Sequence, residues 1–278
     1  LRHIQKAVSV LEAPGFADAA EYAASETCVF IPNEVSPKIL SSVFSGKYST
    51  WLRFAPKLSD WTVLDAGKSG GMTSFYGRMT TDGDLSDFIT LFERTGAASS
   101  KLSSVLPSNT LSAASVPFRN VAEYISEYQM FLDARQSLQT RRSTIDMLEK
   151  KVGVSPVAFF TRIETKEAAT ASFLADGKLE RVNLIRAAKP DTLKNYAAGQ
   201  HPYKYSSFAS AVFGNLFELP DESSFTYVDG WIISGSPKAV DMFASGKAGK
   251  YTLKEYMVNA GLEDLFSAGQ TSFMAYLS

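Results

Sequence analysis

The sequence predicts an α+β protein, with antiparallel or mixed sheets and helices packed on one face. Strand-like segments come in small groups with helices after them, so the strict β-α-β-α alternation of a doubly wound sheet is absent. Asp176-Gly177 and Asp229-Gly230 each separate two apolar runs, which is typical of tight β-hairpins. Residues 120–153 keep an apolar stripe near the helical period, and this long helical stretch divides the chain.

The composition is that of an ordinary globular protein and excludes some functions. Hydrophobic residues make up 45% of the 278 and charged residues 21%, enough apolar material for one large domain or two smaller ones. Lysine and arginine number 28 against 29 acidic residues, so we expect no nucleic-acid partner. No run of about 18 apolar residues occurs, so we expect no transmembrane segment.

The elements of the first half can be placed from apolar periodicity and from turn residues. The amphipathic stretch 3–24 predicts helices interrupted at Pro14-Gly15. Asp84 is predicted to cap a helix that Gly96 ends. The remaining predictions are strands at 26–31 and 61–65, short helices within 37–56, a glycine-rich turn at 67–71, a strand at 72–81 and a turn at 106–110 that leads into a polar strand.

The second half is richer in strand signals. The stretch 120–153 is predicted to be one long helix or to break once near Thr140. After it come an apolar strand at 157–160, a hairpin at 168–187, a second hairpin at 225–234 and a strand at 271–278. Helices are predicted at 190–198, 237–244 and 253–259, with Pro190 and Pro237 suited to a first helical turn.

These elements give two α+β halves, 1–153 and 154–278. Each contains strands followed by an Asp-capped or Pro-started helix, so a second hypothesis is that they are two diverged strand–helix repeats linked by the long helix. The first residue is Leu1, from which we expect that a leader was removed. The final stretch alternates like a strand without a closing turn, so the C-terminal half is expected to continue in a longer chain.

One motif has the pattern of a catalytic nucleophile. Gly67-Lys68-Ser69-Gly70-Gly71 fits G-x-S-x-G, in which a sharp strand-to-helix turn exposes the serine hydroxyl. A triad would require Ser69 with His201 and an acid such as Asp191. The hypothesis of a serine hydrolase therefore depends on whether 72–81 is a helix. Its threonines and aromatic residues favour a strand, and a glycine-rich turn between strands is the simpler interpretation.

Metal and cofactor sites are not indicated. Asp82, Asp84 and Asp87 cluster at a predicted helix start, but the spacing is not that of a calcium loop, and helix capping accounts for it. The chain has two histidines and the single cysteine Cys28, which lies in an apolar run and is expected to be a small packed residue. We therefore expect no metal and no cofactor.

Aromatic residues provide a second alternative. Tyr203, Tyr205, Tyr227 and Trp231 lie in short aromatic segments, and exposed aromatic rings suit carbohydrate or small-ligand recognition. The hairpin 225–234 would then form the platform. Packing in the core is the commoner role for such residues.

Several short segments give a resemblance to a known group of proteins. They are Asp60-Trp61 with Leu64-Asp65, Asp84-Leu85 with Phe88, residues 106–110, residues 212–217, residues 229–234, and Thr252-Leu253 with Tyr256. In this order they resemble exported, lipoprotein-like envelope proteins of Bacteroidetes that form a family of unknown function. The resemblance spans residues 60–278. It implies an extracytoplasmic location (periplasm or outer membrane), with a lipid anchor upstream of Leu1, and it assigns no activity.

The leading hypothesis is therefore a non-enzymatic, extracytoplasmic binding or scaffold module of the cell envelope. Its partner would be an envelope protein or a glycan. The alternatives are a serine hydrolase that uses Ser69, and a glycan or small-ligand binder that uses the hairpin 225–234.

Overall fold

The chain has an α+β fold made of two compact units, residues 1–93 and 94–278. The computed structural model describes residues 9–24, 27–35, 37, 56, 58–69, 72–189, 203–219, 223–247, 251–261 and 270–277. The division between the units lies well before the long helical stretch, which had suggested a boundary after residue 153. Residues on both sides of 153 belong to the second unit.

The first unit is built on a three-stranded antiparallel sheet. Its strands are β1 (Cys28–Pro32), β2 (Trp61–Ser69) and β3 (Met72–Thr80), and β2 lies in the middle. Each residue of β2 pairs with one of β3, from Trp61 opposite Thr80 to Ser69 opposite Met72. The strand predicted at 72–81 is thereby confirmed, and the strand predicted at 61–65 continues to residue 69.

One face of this sheet is covered by a short helix, α1 (Phe16–Glu21). Phe16 and Ala19 pack against Trp61 and Val63 in a small buried cluster. The indole Nε1 of Trp61 donates to the carbonyl of Pro14 at 2.8 Å, which fixes the chain where it enters the helix. The predicted helix break at Pro14-Gly15 is confirmed, since α1 starts directly after Gly15. The short helices predicted within 37–56 fall almost wholly outside the described residues.

The next helix, α2 (Phe88–Thr95), begins later than the sequence predicted. Residues 84–87 form a turn in which the backbone N–H of Asp87 donates to the carbonyl of Asp84 at 3.0 Å. The helix ends before Gly96, whose φ of 69° is the left-handed conformation of a helix C-terminus.

The second unit contains a six-stranded antiparallel sheet with the order β7-β8-β6-β5-β4-β9. Its strands are β4 (Thr110–Pro117), β5 (Thr165–Ala175), β6 (Lys178–Ala187), β7 (Ser224–Val228), β8 (Trp231–Gly235) and β9 (Met274–Leu277). The two predicted hairpins are confirmed as β5–β6 and β7–β8. At both turns the central Asp and Gly have positive φ angles: 50° and 73° at Asp176-Gly177, and 47° and 87° at Asp229-Gly230. This is the geometry that favours Asp-Gly in two-residue hairpins.

The long helical stretch forms two helices, α3 (Val121–Ala134) and α4 (Leu138–Val152). The predicted break occurs at residues 135–137, slightly before Thr140, and Gln136 adopts a φ of 55° there. Asn120 caps α3, because its Oδ1 accepts from the backbone N–H groups of Ala122 and Glu123.

The segment after this pair was predicted to be a strand, and that prediction is wrong. Residues 156–162 form helix α5 (Pro156–Arg162), which buries Phe159 and Phe160. An apolar run of four residues does not distinguish a buried strand from a buried helix, and Pro156 at the first helical turn was the signal for a helix. Helix α6 (Tyr203–Phe213) was not predicted. The predicted helices α7 (Pro237–Ala244) and α8 (Leu253–Asn259) are confirmed, whereas 190–198 is outside the described residues.

Helices α7 and α8 pack on one face of the six-stranded sheet, and the 3₁₀ turn after α6 contacts the other. On one face, Leu184 and Ile233 pack with Phe243 of α7 and Leu253 of α8. On the other face, the side chain of Asn183 reaches the carbonyl of Phe217 in the 3₁₀ turn after α6. All five residues of β8 are buried, so this strand has no polar side to show which face is outward.

Candidate functional site

The candidate nucleophile does not lie on a nucleophile elbow. Ser69 ends β2 and pairs with Met72 at the start of β3, so its turn joins two antiparallel strands. A nucleophile elbow requires a helix after the turn. His201 and Asp191 lie outside the described residues, so their place relative to Ser69 is not described.

The aromatic hairpin does not present the expected platform. Trp231 is only 3% exposed and belongs to the core on the α7 and α8 side of the sheet. Its predicted role in ligand binding is therefore wrong, because a ring enclosed in the core cannot stack on a sugar. Tyr227 is 38% exposed. Tyr203 and Tyr205 lie in α6, but the structure does not describe the placement of their side chains.

A group of three carboxylates lies at the end of the first unit's sheet. Asp60, Asp82 and Asp87 each contribute one oxygen, and these oxygens lie within 4.8 Å of one another. From the sequence alone, the group is Asp82, Asp84 and Asp87, which lie close together along the chain. Asp60 was missed because it precedes β2, and it joins the group through the pairing of β2 with β3, where its N–H donates to the carbonyl of Thr80 at 3.0 Å.

The environment of the group shifts two of its pKa values. Burial raises the pKa of the Asp87 carboxyl, although a hydrogen bond from the hydroxyl of Thr81 at 2.8 Å opposes this shift. Burial also raises the pKa of Asp60, and the neighbouring carboxylate of Asp82 adds to that effect. Both groups therefore hold a proton to higher pH than an isolated aspartate.

Three carboxylates at this separation could supply part of the oxygen shell of a hard divalent cation, which takes six or more ligands. Hydrogen bonds within the loop already account for the arrangement. Asp82 Oδ1 accepts from the N–H of Asp84 at 2.9 Å, and Asp84 Oδ1 accepts from the N–H of Ser86 at 2.7 Å. The carboxylates alone are not a cation site, and we assign no metal to them.

A different carboxylate is fully buried in the second unit. Glu167 has no exposed surface and accepts hydrogen bonds from the hydroxyls of Ser100 and Ser115, both at 2.5 Å, and from the N–H of Lys101 at 2.8 Å. The Nε of Arg186 lies 3.3 Å from Oε2. These partners satisfy the charge, so Glu167 attaches the loop before Leu102 to the sheet and is not available to a substrate.

A row of polar side chains, buried except for the partly exposed Arg181, crosses the opposite face of the six-stranded sheet. It contains Thr170 of β5, Arg181 and Asn183 of β6, and Ser234 of β8. Arg181 Nη2 donates to the carbonyl of Leu216, and its Nε donates to Thr170 Oγ1 at 3.3 Å. Burial lowers the pKa of Arg181 below its ordinary value. The row holds the segment 214–218, which we call the strap, against the sheet.

The sheet of the first unit has a second face, opposite α1, that presents apolar side chains to solvent. Val29 is 42% exposed and Met79 is 41% exposed. Ile31 and Leu64 are partly exposed and lie on the same side, because Val29 pairs with Leu64 and because Ile31 and Met79 both pair with Thr62. We call these four residues the open sheet face.

The single cysteine lies on the α1 side of that sheet. Cys28 is partly buried, and its thiol donates to Asp65 Oδ1 at 2.8 Å. The same oxygen accepts from the backbone N–H of Ala24 at 3.1 Å. Cys28 is thus packed and hydrogen-bonded at the start of β1.

The chain matches no family model, no curated protein and no solved structure in the comparisons. Within the described ranges, every helix is too short or too polar to cross a lipid bilayer.

Proposed function

We propose that this chain is a non-enzymatic binding or scaffold module that works outside the cytoplasm, and that it binds a protein through the open sheet face. The observation that carries the proposal is the exposure of Val29 and Met79 next to Ile31 and Leu64 on one side of an ordered sheet. Contiguous apolar side chains at a protein surface mark sites of interaction.

The chemistry of the face favours a protein over a glycan as the partner. All four side chains are aliphatic or, for Met79, a thioether. Glycan platforms use the flat rings of tyrosine and tryptophan, whereas methionine and branched aliphatic residues adapt to irregular apolar protein surfaces. The burial of Trp231 removes one of the aromatic rings that favoured a glycan.

The arrangement around Ser69 supports a role without catalysis. Its hairpin setting lacks the helix N-terminus that would place backbone N–H groups around an oxyanion. The extracytoplasmic location rests on the resemblance of residues 60–278 to exported Bacteroidetes envelope proteins.

The test is site-specific photocrosslinking in the organism that makes the protein. A benzophenone amino acid replaces Val29 in one variant and Met79 in another. Met147, which is 60% exposed on α4, is the matched control position. We expect one protein adduct of the same mass from positions 29 and 79 and none from position 147. No adduct from either position, or an equal adduct from position 147, would exclude the open sheet face as the binding surface.

Two further measurements address the other parts of the proposal. A fluorophosphonate probe should not label the chain, and labelling that Ser69→Ala abolishes would establish a hydrolase instead. Cell fractionation should recover the protein with periplasmic or outer-membrane markers. Recovery with cytoplasmic markers would contradict the proposed location. It would not affect the proposed binding surface, which the crosslinking experiment tests separately.

A further inference from the structure

Asn183 carries a buried acceptor that has no donor among the residues that the structure describes. The residue is 1% exposed, and its Nδ2 donates to the carbonyl of Phe217 at 2.6 Å. That contact fixes the orientation of the amide, because the flipped form would place two oxygens at the same short distance. The other end of the amide, Oδ1, is buried and has no hydrogen-bond partner in the described part of the chain. An acceptor left in this state destabilises the folded chain, so a donor at this point is expected.

The strand register identifies the side chains beside Oδ1. Asn183 pairs with Thr170 on one side and with Ser234 on the other, and paired residues direct their side chains to the same face. The hydroxyl of Thr170 is already engaged, since it donates to the carbonyl of Val182 at 3.2 Å and accepts from Arg181. Ser234 is 8% exposed, and its hydroxyl makes no hydrogen bond within the part of the chain that the structure describes.

We propose that one internal water molecule binds between Asn183 Oδ1 and the hydroxyl of Ser234, beneath the strap. Water can donate to the amide oxygen and also exchange a hydrogen bond with the serine hydroxyl, so both groups gain a partner. Buried waters of this kind are held by two to four polar groups.

The surrounding charge determines the class of ligand. Arg181 lies two residues before Asn183 on β6, and its side chain is on the same face. The partly buried guanidinium of Arg181 disfavours a second cation close by, which argues against an ammonium ion or a metal. An anion is excluded because Oδ1 is itself an acceptor. A neutral donor remains, and the burial of Asn183 and Ser234 favours the smallest one.

The water would connect the strap to the neighbouring strand as well as to β6. Arg181 and Asn183 both donate to strap carbonyls, those of Leu216 and Phe217, and both belong to β6. Through Asn183 and the water, Ser234 of β8 would contribute to the position of the strap. Ser234 is then a positioning residue, although it makes no direct contact with the strap carbonyls.

The experiment combines a high-resolution crystal structure with oxygen-17 relaxation dispersion of the whole chain, which detects long-lived internal water. The variants are Ser234→Ala and Asn183→Leu, and Ser172→Ala is the control because Ser172 lies on the same face opposite Arg181. We expect a density peak within about 3.2 Å of Asn183 Oδ1 and of Ser234 Oγ. The long-lived relaxation component should decrease in both variants and stay unchanged in the control.

Ser234→Ala should also lower the melting temperature by about 2–4 °C, the shift expected when a unit of this size loses one buried hydrogen bond. The proposal is overturned if Ser234 Oγ donates directly to Asn183 Oδ1 in the crystal, or if no peak lies near Oδ1. A relaxation component that is the same in wild type and in Ser234→Ala also overturns it, whether or not the melting temperature changes.

Discussion

Glu167 shows how one residue can determine the stability of a unit. Its carboxylate has no exposed surface and is held by two serine hydroxyls, one backbone N–H and the guanidinium of Arg186. Removing the carboxylate leaves the partly buried Arg186 without its ion-pair partner and both hydroxyls without their acceptor. A buried charge that loses its partner destabilises a protein by about 3–5 kcal/mol.

We therefore expect Glu167→Ala to reduce the free energy of unfolding by about 3–5 kcal/mol in urea denaturation. Glu164→Ala is the matched control, because Glu164 forms its ion pair with Lys189 at the surface and should show little change. Equal effects of the two substitutions would show that the Glu167 cluster does not hold the loop to the sheet.

Asp87 gives a prediction about pH. Burial raises the pKa of this carboxyl in the folded chain above its ordinary value of 3.8, so the folded state binds the proton more tightly than the unfolded state. The resulting stabilisation is fully present below pH 3.8 and is lost as the pH rises through the folded-state pKa.

Replacing Asp87 by asparagine removes the charge and keeps an acceptor for Thr81. We expect Asp87→Asn to melt at a higher temperature than the wild type at about pH 7, with the difference disappearing near about pH 3, as measured by calorimetry. Asp18→Asn on α1 serves as a control for the general effect of one negative charge. If the wild type is more stable than Asp87→Asn at neutral pH, the ionised Asp87 does not destabilise the folded chain, and the prediction is wrong.

At the scale of elements, the β2–β3 hairpin depends on a glycine in the middle of β3. A Cβ added at Gly77 would lie 2.4 Å from Leu64 Cδ2 and 2.5 Å from the carbonyl oxygen of Val63. The leucine methyl can move, but the backbone oxygen belongs to the paired strand. Overpacking of this kind typically destabilises by about 1–3 kcal/mol.

We expect Gly77→Ala to lower the free energy of unfolding of the first unit by about 1–3 kcal/mol. Met79→Ala, two residues further along the same strand and 41% exposed, should change it much less. Hydrogen exchange of the β2 and β3 amides would localise the effect, and protection that is unchanged in Gly77→Ala would show that the strands can separate enough to accept a methyl group.

The elements that could be predicted from the sequence are those fixed by local chemistry. Asp-Gly turns require positive φ at both central residues, and both such turns form hairpins. Helices α7 and α8 begin after Ser236 and Thr252, whose hydroxyls accept from the backbone N–H groups of Ala239 and Glu255.

The features that could not be predicted depend on distant pairing. The carboxylate group needed Asp60, which only the β2–β3 register brings to Asp82 and Asp87. Trp231 could be a ligand platform or a core residue on the sequence alone, because a strand buried on both faces has no polar alternation to reveal its burial. The polar row could likewise not be predicted, because its members come together only through the pairing of β6 with β5 and β8.

At the scale of the whole molecule, each unit has a hydrophobic cluster of its own. Phe16, Ala19, Trp61 and Val63 form one, and the core around Leu184 and Ile233 forms the other. In the second unit, β4 pairs with β5 on one side and with β9 on the other. A cut after residue 153 would therefore remove β4, which lies between β5 and the edge strand β9 in the larger sheet.

We expect a fragment of residues 94–278 to fold by itself, with a cooperative thermal transition and a near-ultraviolet circular dichroism spectrum typical of packed aromatic rings. A fragment of residues 154–278 should lack both, because β5 loses β4, one of its two partner strands, and β9 loses the strand it pairs with. Cooperative melting of the shorter fragment would show that β4 is dispensable and that the division suggested by the long helical stretch is a real folding boundary.

The position of β9 has a consequence for synthesis of the chain. Strand β4 is made early, but the strand that covers its outer edge is β9, residues 274–277. A ribosome that adds about 5–20 residues per second needs roughly 8–30 seconds to advance from Pro117 to Met274. Throughout that interval β4 presents unpaired backbone groups that could pair with a neighbouring nascent chain. Yield during expression should therefore depend on chaperones that shield this edge until translation reaches β9.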